Sequence, residues 1–154
     1  MSERLAALAV LVAVALPAVS CGEPPEVRLR RVLEQGEKAA EQKDHARLAE
    51  LVSDDYTDEQ GYDRRGLLGF ARAYFLQLDS VYILTRERSL VITGPGQAEV
   101  TLLVAVTSVP VDSFPDLGGM TADLARVEMR FQEEDGEWKL ISADWSPADL
   151  TDFL

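Results

Sequence analysis

Few residues in this chain could do chemistry on their own. It holds one cysteine, Cys21, and one histidine, His45. A zinc site needs three or four nitrogen or sulfur ligands, so these two cannot build one. His45 follows Asp44 at the start of a predicted helix. A general base needs a tuned pKa and a partner within reach, and a solvent-facing helix start supplies neither. Four carboxylates gather at Asp54, Asp55, Asp58 and Glu59. Their spacing lacks the Asp-x-Asp-x-Asp-Gly pattern of a calcium-binding loop and reads as a solvated acidic stretch. Gly94-Pro95-Gly96 is a turn, not a phosphate cradle, and no serine sits in a Gly-x-Ser-x-Gly elbow. No metal, cofactor or catalytic set is expected from these residues.

Cys21 is informative through its position. Met1 to Ser20 has the parts of a bacterial export signal: Arg4 near the terminal amine, the apolar run Leu5 to Leu16, then Pro17 and the small residues Ala18-Val19-Ser20. As a helix the run would measure about 18 Å, short of a bilayer core of about 30 Å. Ala18-x-Ser20 fits an ordinary secretory cleavage site. Ala18-Val19-Ser20-Cys21 also resembles a lipobox, the motif that ends in the acylated cysteine of bacterial lipoproteins, with Ala18 where that motif prefers Leu. A lone cysteine exported to an oxidising compartment has no disulfide partner. At the first mature position its thiol has a use. The expected organisation is a signal peptide over 1–20, a lipid-anchor site and stiff spacer over 21–25, and one domain over 26–154. The expected location is the bacterial cell envelope, membrane-anchored at Cys21 and facing the periplasm or exterior. Gly22 in place of Asp permits export to an outer membrane.

Removing the leader leaves about 134 residues, enough for one domain with one core. The formal net charge is −12. That excludes a nucleic-acid partner, which would need a basic face. It also excludes a polybasic hold on anionic lipid.

The hydrophobic period changes along the chain. Glu26 to Gln42 reads as a helix with Leu29, Leu33, Gly36 and Ala40 on one stripe and Glu34, Glu37, Lys38 and Glu41 on the other face. Gly36 on that stripe suggests close packing. Asp44 caps a second, short helix ending near Val52, and Asp63 caps a third with Leu67, Ala71, Tyr74, Phe75 and Leu78 inward. After Asp79 the period becomes two. Val81 to Ile92 is a strand whose apolar parity switches, which implies a bulge or a strand covered on both faces. Ala98 to Val106 and Ala125 to Phe131 alternate cleanly. Asp135-Gly136 is a hairpin turn, and Trp138 to Trp145 closes the sheet. Leu150 and Phe153 are expected to fold back. Helices first and four antiparallel strands after them define an α+β domain, with helices on one face of a curved sheet.

This order resembles the NTF2-like (SnoaL-type) superfamily. The resemblance spans about Glu26 to Trp145. It rests on the helix pair broken at Lys43-Asp44, on Leu51-Val52-Ser53-Asp54-Asp55-Tyr56, on Asp63-Arg64-Arg65-Gly66-Leu67-Leu68, and on Trp138 to Trp145. It implies a cone with a pocket between sheet and helices. It further implies Tyr56, Tyr74 and Trp145 as pocket residues, with Asp144 at the rim if the last strand has the opposite parity. The superfamily hosts isomerases, dehydratases and non-enzymes alike, so fold does not carry function. With no catalytic set in view, the expected role is a non-catalytic lipoprotein domain that binds a small ligand or an envelope protein. The alternative is a small-molecule isomerase or lyase using a pocket Asp and Tyr. Arg86, Arg88, Arg126 and Arg130 are expected to pair with Glu87, Glu99 and Glu128 on the outer sheet face, which in many superfamily members is the homodimer surface.

Overall fold

The computed structural model describes residues 22–154; the leader, the lipobox and Cys21 lie outside the described residues. Three helices precede four strands: α1 (Pro25–Glu41), α2 (His45–Leu51), α3 (Arg64–Leu76), β1 (Tyr82–Gly94), β2 (Gln97–Thr107), β3 (Asp123–Glu134) and β4 (Glu137–Pro147). Short 3₁₀ turns occupy Phe114–Leu117 and Leu150–Phe153. The strands form one antiparallel sheet in the order β1-β2-β3-β4. The helices pack on one face of it, giving the open α+β cone of the NTF2-like fold.

Local sequence explains the element ends. Pro25 stands at the first position of α1, where a missing N–H costs nothing. Asp44 accepts a hydrogen bond from the Arg47 N–H and caps α2; Asp63 accepts from the Gly66 N–H and caps α3. Asp135 and Gly136 both take positive φ, 51° and 79°, as a two-residue hairpin of the right twist requires.

The sheet has a division of labour between its faces. Ala98, Val100, Leu102, Phe131 and Trp138 turn toward α1 and join Leu29 in one core. Val52, Tyr56 and Ala143 form a second core with Leu67 and Leu68 of α3. On the opposite face, Leu103 and Ala105 of β2 are buried beneath Leu117 and Phe153. Strand β2 is therefore covered on both sides over its second half.

The parity switch in β1 has a structural cause. A register shift between Glu87 and Ser89 leaves Arg88 as the extra residue of a bulge. Before it, Ile83, Thr85 and Glu87 pair with Val106, Val104 and Leu102; after it, Leu90 and Ile92 pair with Val100 and Ala98. Odd-numbered residues thus face the helices on one side of the bulge and even-numbered ones on the other. Leu84 and Arg86 face outward, against Phe153 and Phe114.

Two packing expectations are corrected. A Cβ on Gly36 would meet Leu51 Cδ1 at 3.6 Å, an ordinary contact, so Gly36 lines open space instead of allowing a close helix approach. The expected cross-strand ion pairs of the outer face are also rearranged. Glu87 pairs with Arg30 of α1, Arg86 donates to the Phe153 carbonyl, and Arg126 pairs with Glu128 of its own strand at 3.3 Å. The bulge is the reason for the first of these, because it turns Glu87 inward.

Candidate functional site

Between α1, α2, the end of α3 and the inner face of the sheet lies an open cavity of about 500 Å³. Its walls are mostly aliphatic: Leu33, Leu48 and Leu51 from the helices, and Leu102, Val104, Val127, Met129 and Leu140 from the sheet. Phe75 of α3 and Phe131 of β3 contribute the aromatic surface. Volume and lining fall in the range of small-molecule sites.

The polar groups are confined to one wall, where α1 faces β1. Thr85 Oγ1 donates to Glu37 Oε2 at 3.0 Å. Glu37 is half-buried, and burial pushes its carboxyl above the usual carboxylate range; the Thr85 bond opposes that, while nearby Glu41 and Glu34 add to it. Nearer the mouth, Arg30 binds Glu87 through two hydrogen bonds, Nε to Oε2 at 2.9 Å and Nη2 to Oε1 at 2.7 Å. The paired guanidinium lowers the Glu87 pKa. Glu34 completes this wall.

The four residues expected at the pocket stand elsewhere. Tyr56 is 1% exposed and is held in the core beneath α3. Its hydroxyl donates to Asp58 Oδ2 at 2.6 Å and accepts from the Ala143 N–H at 3.2 Å. Burial and Asp58 raise its pKa so far that the phenol stays protonated. Trp145 and Tyr74 belong to a ladder of rings along α3. Phe70 stacks on Trp145 with ring centroids 5.4 Å apart and on Tyr74 at 6.4 Å, and Tyr62 packs against both Trp145, at 6.2 Å, and Phe70, at 5.7 Å. The Tyr74 hydroxyl donates to Asp123. Its ring meets Phe75 edge-on at 5.4 Å, so Tyr74 touches the cavity wall from behind. Asp144 points to the outer sheet face, opposite Glu128 in register, and accepts from the Glu59 N–H at 2.9 Å. Its neighbour Trp145 takes the inward direction, which fixes the parity.

His45 and the acidic loop are likewise away from the cavity. Asp58 accepts from the Tyr56 hydroxyl and from the Tyr62 N–H, so it organises its own loop. Among the described residues no group of three His, Cys, Asp or Glu is close enough to hold a metal ion.

The sequence pattern places Glu37 on the polar side of α1, whereas in the structure it lines the cavity with Glu34 and Glu87. A signal was present. Leu33, Glu37 and Ala40 stand at i, i+4 and i+7, so Glu37 interrupts the apolar stripe at one helical edge.

No family model matches the sequence, and no curated protein matches it. Solved structures do match in fold. One is a proposed dehydratase of the NTF2-like family from Streptomyces avermitilis, 18% identical with a TM-score of 0.63, covering 80% of this chain and 97% of that one. Another is a proposed scytalone dehydratase from Novosphingobium aromaticivorans, 12% identical with a TM-score of 0.64, covering 80% and 83%. Bd1075 from Bdellovibrio bacteriovorus is 13% identical with a TM-score of 0.64; the match covers 79% of this chain but 40% of Bd1075. At these identities the likeness is one of fold. The domain is NTF2-like in architecture.

Proposed function

We propose that this is a lipid-anchored protein of the bacterial cell envelope whose NTF2-like domain binds a small, largely apolar molecule without transforming it. One observation carries the binding role: an open cavity of about 500 Å³ with aliphatic walls and polar groups on a single side. Such a distribution lets apolar burial supply affinity while the few polar groups set orientation. The leader and Cys21 support the envelope location.

The test is direct binding of neutral alicyclic alcohols, from cyclohexanol to adamantan-1-ol, to the full chain in detergent, read by calorimetry against a detergent blank. The expected result is saturable binding that falls at least about tenfold in Val104→Phe, whose larger side chain would fill the cavity. Absence of saturable binding across the series would reject the reading.

A second reading, an isomerase or lyase, is favoured by one observation: a half-buried carboxyl with a raised pKa faces the cavity at Glu37. It replaces the expected Asp and Tyr set by a single acid. It requires that a bound substrate be turned over, and that Glu37→Gln stop turnover while binding persists.

A further inference from the structure

The polar wall of the cavity is asymmetric in charge as well as in position. Among the described residues Arg30 is the one cation lining it, and its Nε and Nη2 are engaged by Glu87. Its charge is thereby cancelled, and its donors on that side are spent. Away from Arg30, what this wall offers a ligand is the carboxyl oxygens of Glu37 and Glu34. Among the described residues Thr85 is the one hydrogen-bond partner of Glu37, bonded to Oε2, and Glu34 stands one helical turn away. No titratable side chain reaches this cavity from α2, α3, β2, β3 or β4; those elements present Leu48, Leu51, Phe75, Val104, Met129 and their aliphatic neighbours. The charged groups facing Glu37 are thus Arg30, Glu34 and Glu41 of α1, and Glu87 of β1.

We infer that the cavity selects a ligand with an apolar body and a protonated amino group, the ammonium seated between Glu37 and Glu34 and the body against the aliphatic wall. This rests on the binding role proposed above and names the chemistry of what is bound. An anionic ligand would meet three carboxylates and a neutralised arginine. A neutral alcohol would gain one hydrogen bond to Glu37. An ammonium gains charge-assisted bonds and offsets the crowding of like charges along α1.

The same geometry gives a signature that simple packing would not. Burial favours the neutral Glu37 carboxyl when the cavity is empty, and an ammonium beside it favours the carboxylate. Amine binding therefore expels a proton from Glu37 over the pH range in which that carboxyl is still protonated. Affinity for the amine rises with pH across that range.

The experiment compares three ligands of one shape, adamantan-1-amine, adamantan-1-ol and adamantane-1-carboxylate, titrated by calorimetry into the full chain in detergent. Buffers of different ionisation enthalpy report the proton count. The expected order is amine, then alcohol, then carboxylate, with the amine ahead of the alcohol by at least about tenfold. Proton release is expected with the amine alone, and Glu37→Gln is expected to abolish both that release and the preference. Equal affinities, or a lead for the carboxylate, with the alcohol still bound, would overturn the ligand class and leave the binding role standing. A preference that survives unchanged in Glu37→Gln would overturn the assignment to Glu37. Failure of all three to bind would remove the binding role and this inference together.

Discussion

Thr85 Oγ1 and Glu37 Oε2 lie 3.0 Å apart across the gap between β1 and α1, and this bond joins helix to strand at the polar wall of the cavity. Thr85 reaches inward because it precedes the Arg88 bulge; on the other side of the bulge the same parity would point it outward. One extra residue in a strand thus decides which groups the cavity displays.

Glu37 makes stability depend on pH in a defined direction. Its folded pKa is raised above the ordinary 4.5. Between 4.5 and that raised value the folded state binds more protons than the unfolded state. Stability from this group is full below 4.5 and is lost as pH rises through the folded pKa. Glu37→Gln should remove that part of the pH slope. Melting temperatures of both proteins across pH 4 to 8 would check it, the variant gaining on the wild type as pH rises.

Tyr56→Phe should destabilise the fold by about 1–3 kcal/mol, because it strips a buried hydroxyl bonded to Asp58 and to the Ala143 N–H. Binding of neutral alcohols should be unchanged, since Tyr56 is not a cavity residue. Urea unfolding and calorimetry on the same preparation would separate the two effects.

Phe153→Ala should cost about 3 kcal/mol or more. The ring is fully buried with Leu103, Ala105 and Leu117, and it packs on Phe114 with centroids 5.3 Å apart. Denaturant titration would measure the loss, with the midpoint falling and the slope retained.

Cys21→Ser should release the protein from membranes. Metabolic labelling with palmitate and fractionation of cells would show label in the wild type and none in the variant. A variant that stays labelled and in the membrane fraction would reject the anchor.

The fold was legible where local chemistry dictates it. Asp44 and Asp63 announced two helix starts and Asp135-Gly136 a hairpin; the broken alternation across Arg86 to Arg88 announced either a bulge or a strand covered on both faces, and the register shift between Glu87 and Ser89 is the bulge. Leu150 and Phe153 were expected to fold back, and they do. The site was less legible, because its members come from different elements at close quarters. Glu37 looked like one more charge on a charged helix face until the sheet closed over it. Tyr74 and Trp145 were expected at the pocket. Instead Phe70 draws both into a ladder of rings along α3; its contact with Tyr74 is an i, i+4 pair, but its contact with Trp145 crosses from helix to strand and no local spacing displays it. That helix leaves Phe70 41% and Leu76 69% exposed, so its apolar stripe is broader than the surface the sheet offers it.

The cover over the outer side of β1 and β2 also governs how two copies could meet. Stacking sheet against sheet would require Phe153 and Leu117 to leave the places they fill over Leu103 and Ala105. Along β3 and β4 the outer face sets Glu128 opposite Asp144 in register, with Arg126 paired to Glu128 at 3.3 Å. Over that half of β2 the outer face is covered by the chain's own tail and by the turn that carries Leu117.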